Sequence, residues 1–293
     1  MKITNKMKLP RAFVEMARSD YEYKPKRYSV TSLLKSTREA ILERRHHKEI
    51  EQDVSDMIWL LFGRAVHSIL ENQSEGDYEI KEAGLQVQFG DYTLSGRFDL
   101  YDDKSKTISD YKVCSVWKVM YGDFDDWRRQ LLIYAYMMKT IGFEVEKGEI
   151  VAIMRDHSKR DAKYKKDYPK LPVKRIKFKF TKKDFAEIEN WLETRFKEIA
   201  AAEQLDDDDL PLCTPEERFN SGDTFAVMRK GRKTALRVLG SMDEAREWMK
   251  ANGGDYIDVR PGEDKKCIDY CRACEFCSYY KEQIKPLNKE VSQ

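Results

Sequence analysis

The sequence has almost no net charge and no long apolar segment. Its 54 basic and 52 acidic residues give a formal net charge of +2, so the molecule as a whole has no field that attracts polyanions. The longest apolar run, Leu131 to Met138, is too short to span a bilayer. The first residues also lack the apolar stretch of a signal peptide. We therefore expect a cytoplasmic protein without membrane segments, in which any nucleic-acid surface is a local patch.

The apolar content is sufficient for one large domain and a smaller appendage. The chain has 293 residues, of which 41% are hydrophobic, and this allows one substantial core and a satellite module. The acidic run Asp206 to Asp209 marks a change in composition, which is typical of a boundary. We predict a first domain over residues 1–204 and a C-terminal module over residues 205–293.

The spacing of apolar residues predicts an α/β fold. Strict alternation predicts a β-hairpin around Gly90-Asp91 and a third strand from Thr107 to Val113. An amphipathic helix is expected from about Asp125 to Ile141, followed by a strand from Glu149 to Arg155. These elements form a β-β-β-α-β core, so we expect a central mixed β-sheet flanked by helices. Beyond residue 205 the pattern predicts a small β-β-α-β module.

Three further stretches flank this core. Residues from about Ser29 to Arg45 have helical periodicity, and a second helix is expected from Asp56 to Asn72. The basic stretch Ser158 to Lys170 has the composition of a loop. The sequence Thr181-Lys-Lys-Asp184 has the pattern of a capping box, and it predicts the start of a helix that ends near Glu203.

The tripeptide Asp110-Tyr111-Lys112 lies on a predicted strand. Side chains two residues apart on a strand point to the same face, so a carboxylate and an ammonium emerge side by side. Such a pair binds a metal and polarises water, although the same spacing recurs elsewhere, for example in Glu79-Ile-Lys81. About one strand earlier, Gly96-Arg-Phe-Asp99 supplies an aspartate that meets Asp110 across the hairpin. We therefore expect two carboxylates and a lysine to converge.

Two more motifs lie before and after these strands. Gly63-Arg-Ala-Val-His67 puts a histidine in a predicted helix, and Gln130-Leu-Leu-Ile-Tyr134 puts a glutamine and a tyrosine one helical turn apart. Each motif alone is explained by packing or by a strand-edge ion pair. All four motifs, in this order, resemble the signature of RecB-type nucleases of the PD-(D/E)XK superfamily, which the CRISPR-adaptation nucleases share.

The resemblance implies two overlapping sets of residues. The implied ligands of Mg²⁺ or Mn²⁺ are His67, Asp99, Asp110 and the carbonyl of Tyr111. The implied catalytic residues are Asp99, Asp110, Lys112, Gln130 and Tyr134. In this scheme Lys112 positions or activates the attacking water, while Gln130 and Tyr134 orient the lysine and contact DNA. Phosphodiester hydrolysis needs an activated water and neutralisation of the developing charge, and divalent ions supply both.

Four of the six cysteines are crowded near the C-terminus, at spacing Cys267-x3-Cys271-x2-Cys274-x2-Cys277. In a chain without an export signal, such crowding indicates metal ligation and not disulfides. With Cys213 upstream there are five thiols, which suit iron–sulfur clusters and zinc alike. Resemblance to RecB-like relatives with one remote and three clustered cysteines implies a 4Fe-4S cluster on Cys213, Cys267, Cys271 and Cys277, with Cys274 as the alternative ligand. A zinc knuckle built from the four clustered cysteines is the alternative site.

Basic residues beside these motifs are candidates for contact with DNA. They are Arg128 and Arg129 next to Gln130, and Lys230 and Arg232 in a predicted hairpin tip. The resemblance implies a DNA exonuclease that acts on single-stranded DNA or DNA ends in recombination, repair or replication, of a phage type and with partners in those processes. Two alternatives stay open: a CRISPR-adaptation nuclease that trims spacers, and a catalytically inactive DNA-binding scaffold. The oligomeric state is not readable from the sequence.

Overall fold

The computed structural model describes residues 1–18, 23–74 and 76–286. Its contacts divide the chain into two compact units. The first unit comprises residues 1–35 and 47–204, and the second comprises residues 36–46 and 205–293. A short segment from the N-terminal part of the sequence therefore belongs to the same unit as the cysteine-rich end.

The strands and helices are numbered along the whole chain. The strands are β1 (Lys2–Thr4), β2 (Arg27–Ser29), β3 (Glu51–Asp53), β4 (Glu79–Lys81), β5 (Gly84–Phe89), β6 (Tyr92–Arg97), β7 (Leu100–Asp102), β8 (Thr107–Cys114), β9 (Lys147–Met154), β10 (Val173–Lys179), β11 (Thr224–Met228), β12 (Arg237–Leu239) and β13 (Tyr256–Arg260). The helices are α1 (Arg11–Ala17), α2 (Val30–Leu33), α3 (Thr37–His46), α4 (Ile58–Glu71), α5 (Val116–Tyr121), α6 (Asp125–Thr140), α7 (Lys159–Tyr164), α8 (Lys182–Ala202), α9 (Met242–Asn252) and α10 (Lys265–Asp269).

A five-stranded sheet forms the centre of the first unit. Its order is β10-β9-β8-β7-β4; β8 and β9 are parallel, and the other pairs are antiparallel. Helix α6 packs against β8 and β9, where Ile108, Ile150 and Ala152 are fully buried. These observations confirm the predicted α/β fold with a central mixed sheet.

The predicted hairpin is present beside this sheet. Strands β5 and β6 are antiparallel, and β2 joins β6 in parallel. The turn requires a left-handed backbone, and Gly90 supplies it with φ of +56°, which a glycine adopts without steric strain. Alternation places Leu85, Val87 and Leu94 in the core, as the sequence pattern predicts.

Local hydrogen bonds explain where several helices begin. The predicted capping box is confirmed, because the Thr181 side chain accepts from the Asp184 amide and the Asp184 side chain accepts in return. The predicted loop over residues 158–170 was wrong in part: α7 begins there because Ser158 accepts from the Asp161 amide. The predicted helix over residues 29–45 is interrupted, and Ser36 starts the second piece by accepting from the Glu39 amide.

The second unit contains the predicted small module. Strands β12, β11 and β13 form an antiparallel sheet in that order, and α9 packs on β11 and β12. The helix starts where the Ser241 side chain accepts from the Glu244 amide. The predicted β-β-α-β module is therefore confirmed. Within the described ranges of the chain, no helix has the length and apolar character needed to cross a membrane.

Candidate active site

Strand β8 carries the predicted carboxylate and lysine on one face. Asp110 is only 5% exposed, and the Lys112 ammonium lies 2.8 Å from its Oδ2 atom. Lys112 also donates a hydrogen bond of 2.8 Å to Oε1 of Gln130, which α6 carries. The tripeptide in β8 and the glutamine in α6 are thus brought together. Lys112 is held in place from two sides.

Tyr134 lies one turn beyond Gln130 in α6 and is almost fully buried. Its hydroxyl interacts with Gln130 and with the backbone of Arg97, while burial raises the pKa of the phenol. The ring packs on Gly96: a Cβ atom there would lie 2.5 Å from Cε1 of Tyr134. This close approach explains the glycine of the Gly-x-x-Asp motif. A chain of contacts therefore runs from Gly96 through Tyr134 and Gln130 to Lys112.

His67 in α4 contacts the residue that precedes β7 and a residue of β8. Its Nδ1 atom lies 3.2 Å from Oδ1 of Asp99, and its Nε2 atom lies 2.9 Å from the Tyr111 carbonyl oxygen. The other carboxylate oxygen of Asp99 accepts a 2.6 Å bond from the Tyr111 amide. The hydrogen bond to Asp99 raises the pKa of His67, against the opposing effect of burial. Three of the four predicted metal ligands are therefore in direct contact.

Glu82 also belongs to this site, and the sequence analysis missed it. Ligand atoms of His67, Glu82 and Asp99 all lie within 4.8 Å of one another. The residue follows β4 with a φ of +47°, and its amide donates to the Asp99 carbonyl. Burial, followed by the Asp99 charge, raises the pKa of the Glu82 carboxyl. Glu82 matches none of the four motifs, so only its distance from a motif aspartate identifies it.

The residues present fit a divalent cation. Oδ2 of Asp110 is buried, and its ion-pair partner is the Lys112 ammonium, 2.8 Å away. Desolvation raises the pKa of Asp110, with Lys112 opposing the shift and Asp99 adding to it. Crowded carboxylates are the hard donors that Mg²⁺ and Mn²⁺ prefer, and the imidazole of His67 is a borderline donor that Mn²⁺ accepts more readily than Mg²⁺. A cation would relieve the repulsion between them.

In the second unit, the cysteines line one small cavity of about 30 Å³. All five predicted thiols contribute to it: Cys213, Cys267, Cys271, Cys274 and Cys277. Burial raises the pKa of Cys267 to about 12, and it also raises the pKa values of Cys213, Cys271 and Cys274. These four thiols are therefore protonated unless a metal displaces the protons.

Helix α3 supplies another wall of this cavity. Arg38 is only 1% exposed, and its Nε atom donates a 3.2 Å hydrogen bond to the Cys277 sulfur. The same guanidinium donates to the Ser278 hydroxyl and to the Leu210 carbonyl. The hydroxyl of Ser36 lies 3.1 Å from the sulfur of Cys213. Two polar groups from one short segment thus contact thiols far along the sequence.

The basic residues predicted to contact DNA have varied surroundings. Arg128 forms an ion pair with Asp184, and the Arg129 guanidinium lies over the Trp191 ring, 5.5 Å from its centroid. In the second unit, Lys230 and Arg232 are exposed in the turn between β11 and β12. Arg128 is therefore occupied by a contact within the unit, whereas the role of the other three stays a prediction.

A comparison with known protein families identifies the superfamily of this chain. The family model described as the PD-(D/E)XK nuclease superfamily matches residues 15–215, a range that contains all four motifs. Among solved structures, SSO0001 is 19% identical, with a TM-score of 0.44, over 60% of this chain and 78% of that one. An alkaline exonuclease from Laribacter hongkongensis is 13% identical, with a TM-score of 0.37, over 60% and 88% of the two chains. A phage related exonuclease from Haemophilus somnus 129PT is 8% identical, with a TM-score of 0.29, over 64% and 78%. No curated protein matches the sequence.

Proposed function

The chain belongs to the PD-(D/E)XK nuclease superfamily, and from this premise we propose that it is a metal-dependent DNA exonuclease that acts on single-stranded DNA or DNA ends. The observation that carries the proposal is the convergence of Asp99, Asp110 and Lys112 with His67 around the middle of β8. The preference for ends rests on the four motifs that resemble RecB-type nucleases. Recombination, repair or replication, as in phages, are the processes that such an activity serves.

The proposed cation site uses residues from four segments of the chain: α4, the turn after β4, the residue before β7, and β8. His67, Glu82, Asp99 and Asp110, with the Tyr111 carbonyl, are the donors that would hold Mg²⁺ or Mn²⁺. A divalent ion bound there supplies neutralisation of phosphate charge and makes water more acidic. Because Nε2 of His67 lies 2.9 Å from the Tyr111 carbonyl oxygen, the ring must lose that hydrogen bond before Nε2 is available as a ligand. Metal binding therefore requires a neutral imidazole.

Lys112 is the residue proposed to act on the reacting atoms. Its ammonium has three protons; Gln130 accepts one of them, and Asp110 is the electrostatic partner of the charge. A third proton is free to bind the attacking water or a phosphate oxygen. Gln130 and Tyr134 are positioning residues in this scheme, because they fix the ammonium from the side of α6. The arrangement stabilises negative charge as it develops on phosphate.

For the cysteine cavity, we propose a 4Fe-4S cluster held by Cys213, Cys267, Cys271 and Cys277, with Cys274 as the alternative fourth ligand. In such a cluster each thiolate binds a different iron, and one remote cysteine with three clustered ones is the arrangement that resembles RecB-like relatives with a 4Fe-4S cluster. A zinc ion held by the four clustered cysteines is the alternative. Arg38 offsets thiolate charge at Cys277.

The test of the proposed function compares linear and covalently closed DNA. Anaerobically purified protein is incubated with single- and double-stranded forms of each, in Mg²⁺, in Mn²⁺ or in EDTA. Degradation of linear DNA alone, only with metal, is the expected result, and separate labels on the two ends give the polarity. Cleavage of closed circles would show an endonuclease instead. If every substrate is bound but stays intact in all metals, the inactive scaffold replaces the proposal.

A further inference from the structure

Three aromatic side chains are exposed beside the end of β8. Trp59 at the start of α4 is 61% exposed, and Trp117 and Tyr121 in α5 are 51% and 80% exposed. The rings of Trp117 and Tyr121 are stacked, with centroids 6.1 Å apart and an angle of 28° between the planes. Solvent-exposed aromatic side chains do not contribute to the hydrophobic core, and a group of them marks an interaction surface. We call these three residues the aromatic platform.

One dipeptide connects the two helices that carry the platform. The Arg155 guanidinium lies over the Trp59 ring, 4.6 Å from its centroid, and the Arg155 amide donates to the Cys114 carbonyl at the end of β8. Its neighbour Asp156 accepts 2.7 Å bonds from the Ser115 hydroxyl and the Val116 amide. Asp156 thus anchors the start of α5, while Arg155 holds Trp59. The rings are therefore fixed in the same region.

The platform continues directly from the catalytic residues. Cys114, where β8 ends, is two residues after Lys112, and α4 carries both Trp59 and His67. These two residues are eight positions apart, so about 12 Å of helix axis separates them. Gly63 lies halfway along the same row of the helix, since residues four apart share a face, and a Cβ there would meet nothing within 4 Å. The helix surface at Gly63, between the candidate cation site and Trp59, is therefore open.

We propose that the aromatic platform binds unpaired bases of a single DNA strand whose phosphate lies at the active site. This inference rests on the proposed nuclease function and names the form of substrate that the site takes. Every base has a flat face, so exposed rings bind bases without regard to sequence. The Arg155 guanidinium adds a positive charge beside the strand and keeps Trp59 in position. At about 3.4 Å for each stacked nucleotide, 12 Å corresponds to about three or four nucleotides.

Binding measurements with and without bases test the platform. Fluorescence anisotropy in EDTA, which prevents cleavage, compares oligothymidylate with a strand of equal length made of abasic units. Wild-type protein should bind the strand with bases about tenfold more tightly. Trp59→Leu and Trp117→Leu keep an apolar group without a ring and should lose most of this difference, whereas Trp59→Phe should retain it. Ile69→Ala is the matched control, because Ile69 lies in α4 and is 63% exposed but has no ring.

The outcomes separate the platform from the nuclease. If Trp59→Leu and Trp117→Leu bind both strands as the wild type does, the platform is refuted and the nuclease function stands. If these variants change only the oligomeric state, measured by light scattering, the surface binds protein and the platform is again refuted. If the wild type binds neither strand and cleaves no DNA in the presence of metal, the proposed nuclease function itself is refuted, and the platform with it. Equal losses of affinity for the strand with bases in Trp59→Leu and Ile69→Ala would also contradict a specific role for the aromatic rings.

Discussion

Replacing Gly96 with alanine tests how the Gly-x-x-Asp motif supports the active site. The new Cβ would lie 2.5 Å from Cε1 of Tyr134 and 2.9 Å from Cγ2 of Val30, and both side chains are buried. Overpacking of this kind costs about 1–3 kcal/mol, while the reduced freedom of the unfolded chain offsets about 0.4–1 kcal/mol. We expect a net destabilisation of about 1–2 kcal/mol. Displacement of Tyr134 by up to about 1 Å would also misplace Gln130 and lower kcat by up to about 100-fold.

A double-mutant cycle isolates this contact. Urea denaturation gives the free energy of unfolding for Gly96→Ala, Tyr134→Ala and the double variant. Because Tyr134→Ala removes the obstructing ring, Gly96→Ala should destabilise that background less, with a coupling of about 1 kcal/mol or more. Gly84→Ala is the control, since a Cβ there meets nothing within 4 Å. Strictly additive effects, or full activity in Gly96→Ala, would refute the proposed chain of contacts from Gly96 to Lys112.

Three further predictions concern the cation site and the cysteine cavity. Glu82→Gln should weaken Mn²⁺ binding about tenfold or more in calorimetry, whereas Glu79→Gln on neighbouring β4 should leave the affinity unchanged. Equal affinities for the wild type and Glu82→Gln would show that Glu82 is not part of the site. The pKa of His67 should lie above its ordinary 6.5 in protein prepared without metal, because Asp99 stabilises the imidazolium. The affinity for Mn²⁺ should therefore rise as pH increases through that pKa. Asp99→Asn should lower the pKa of His67 in an NMR titration, and an unchanged pKa would contradict the role of Asp99. Arg38→Met should reduce the iron and sulfide bound per chain and make the reduction potential of any remaining cluster more negative, because a positive hydrogen-bond donor to Cys277 is lost. Arg45→Met is the control in the same helix, since its hydrogen bonds go to Asp207 and Leu205, and it should change neither quantity. An Arg38→Met protein with unchanged iron content and potential would contradict the role of Arg38.

The sequence was informative where local pattern and chemistry coincide. Alternation in β8 places Asp110 and Lys112 on one face, and helical periodicity in α6 places Gln130 and Tyr134 one turn apart, because strand and helix geometry fix both relations. The predicted helix from Asp125 to Ile141 ends within one residue of the observed α6. The proximity of these residues could be predicted because the predicted strand and helix follow one another in the chain.

Other features depend on contacts between distant parts of the sequence. Glu82 lies in a turn with positive φ, and nothing in its neighbours indicates that its carboxylate approaches His67. Arg38 contacts Cys277 across 239 positions, a separation that no local pattern encodes. The short helix α7 is different: Ser158 and Asp161 have the spacing of a helix cap, so that signal was available, but the basic composition favoured a loop.

The most direct test of the central claim is single-turnover cleavage of end-labelled DNA by Lys112→Ala beside Lys81→Ala. Glu79-Ile-Lys81 has the same spacing of acid and lysine in the same sheet, but it lies outside the proposed catalytic group, which makes it a matched control. We predict that Lys112→Ala binds DNA as the wild type does and cleaves it at least about 100-fold more slowly, whereas Lys81→Ala retains the wild-type rate. Full activity in Lys112→Ala, or equal loss in both variants, would contradict the assignment of the active site to Asp110 and Lys112.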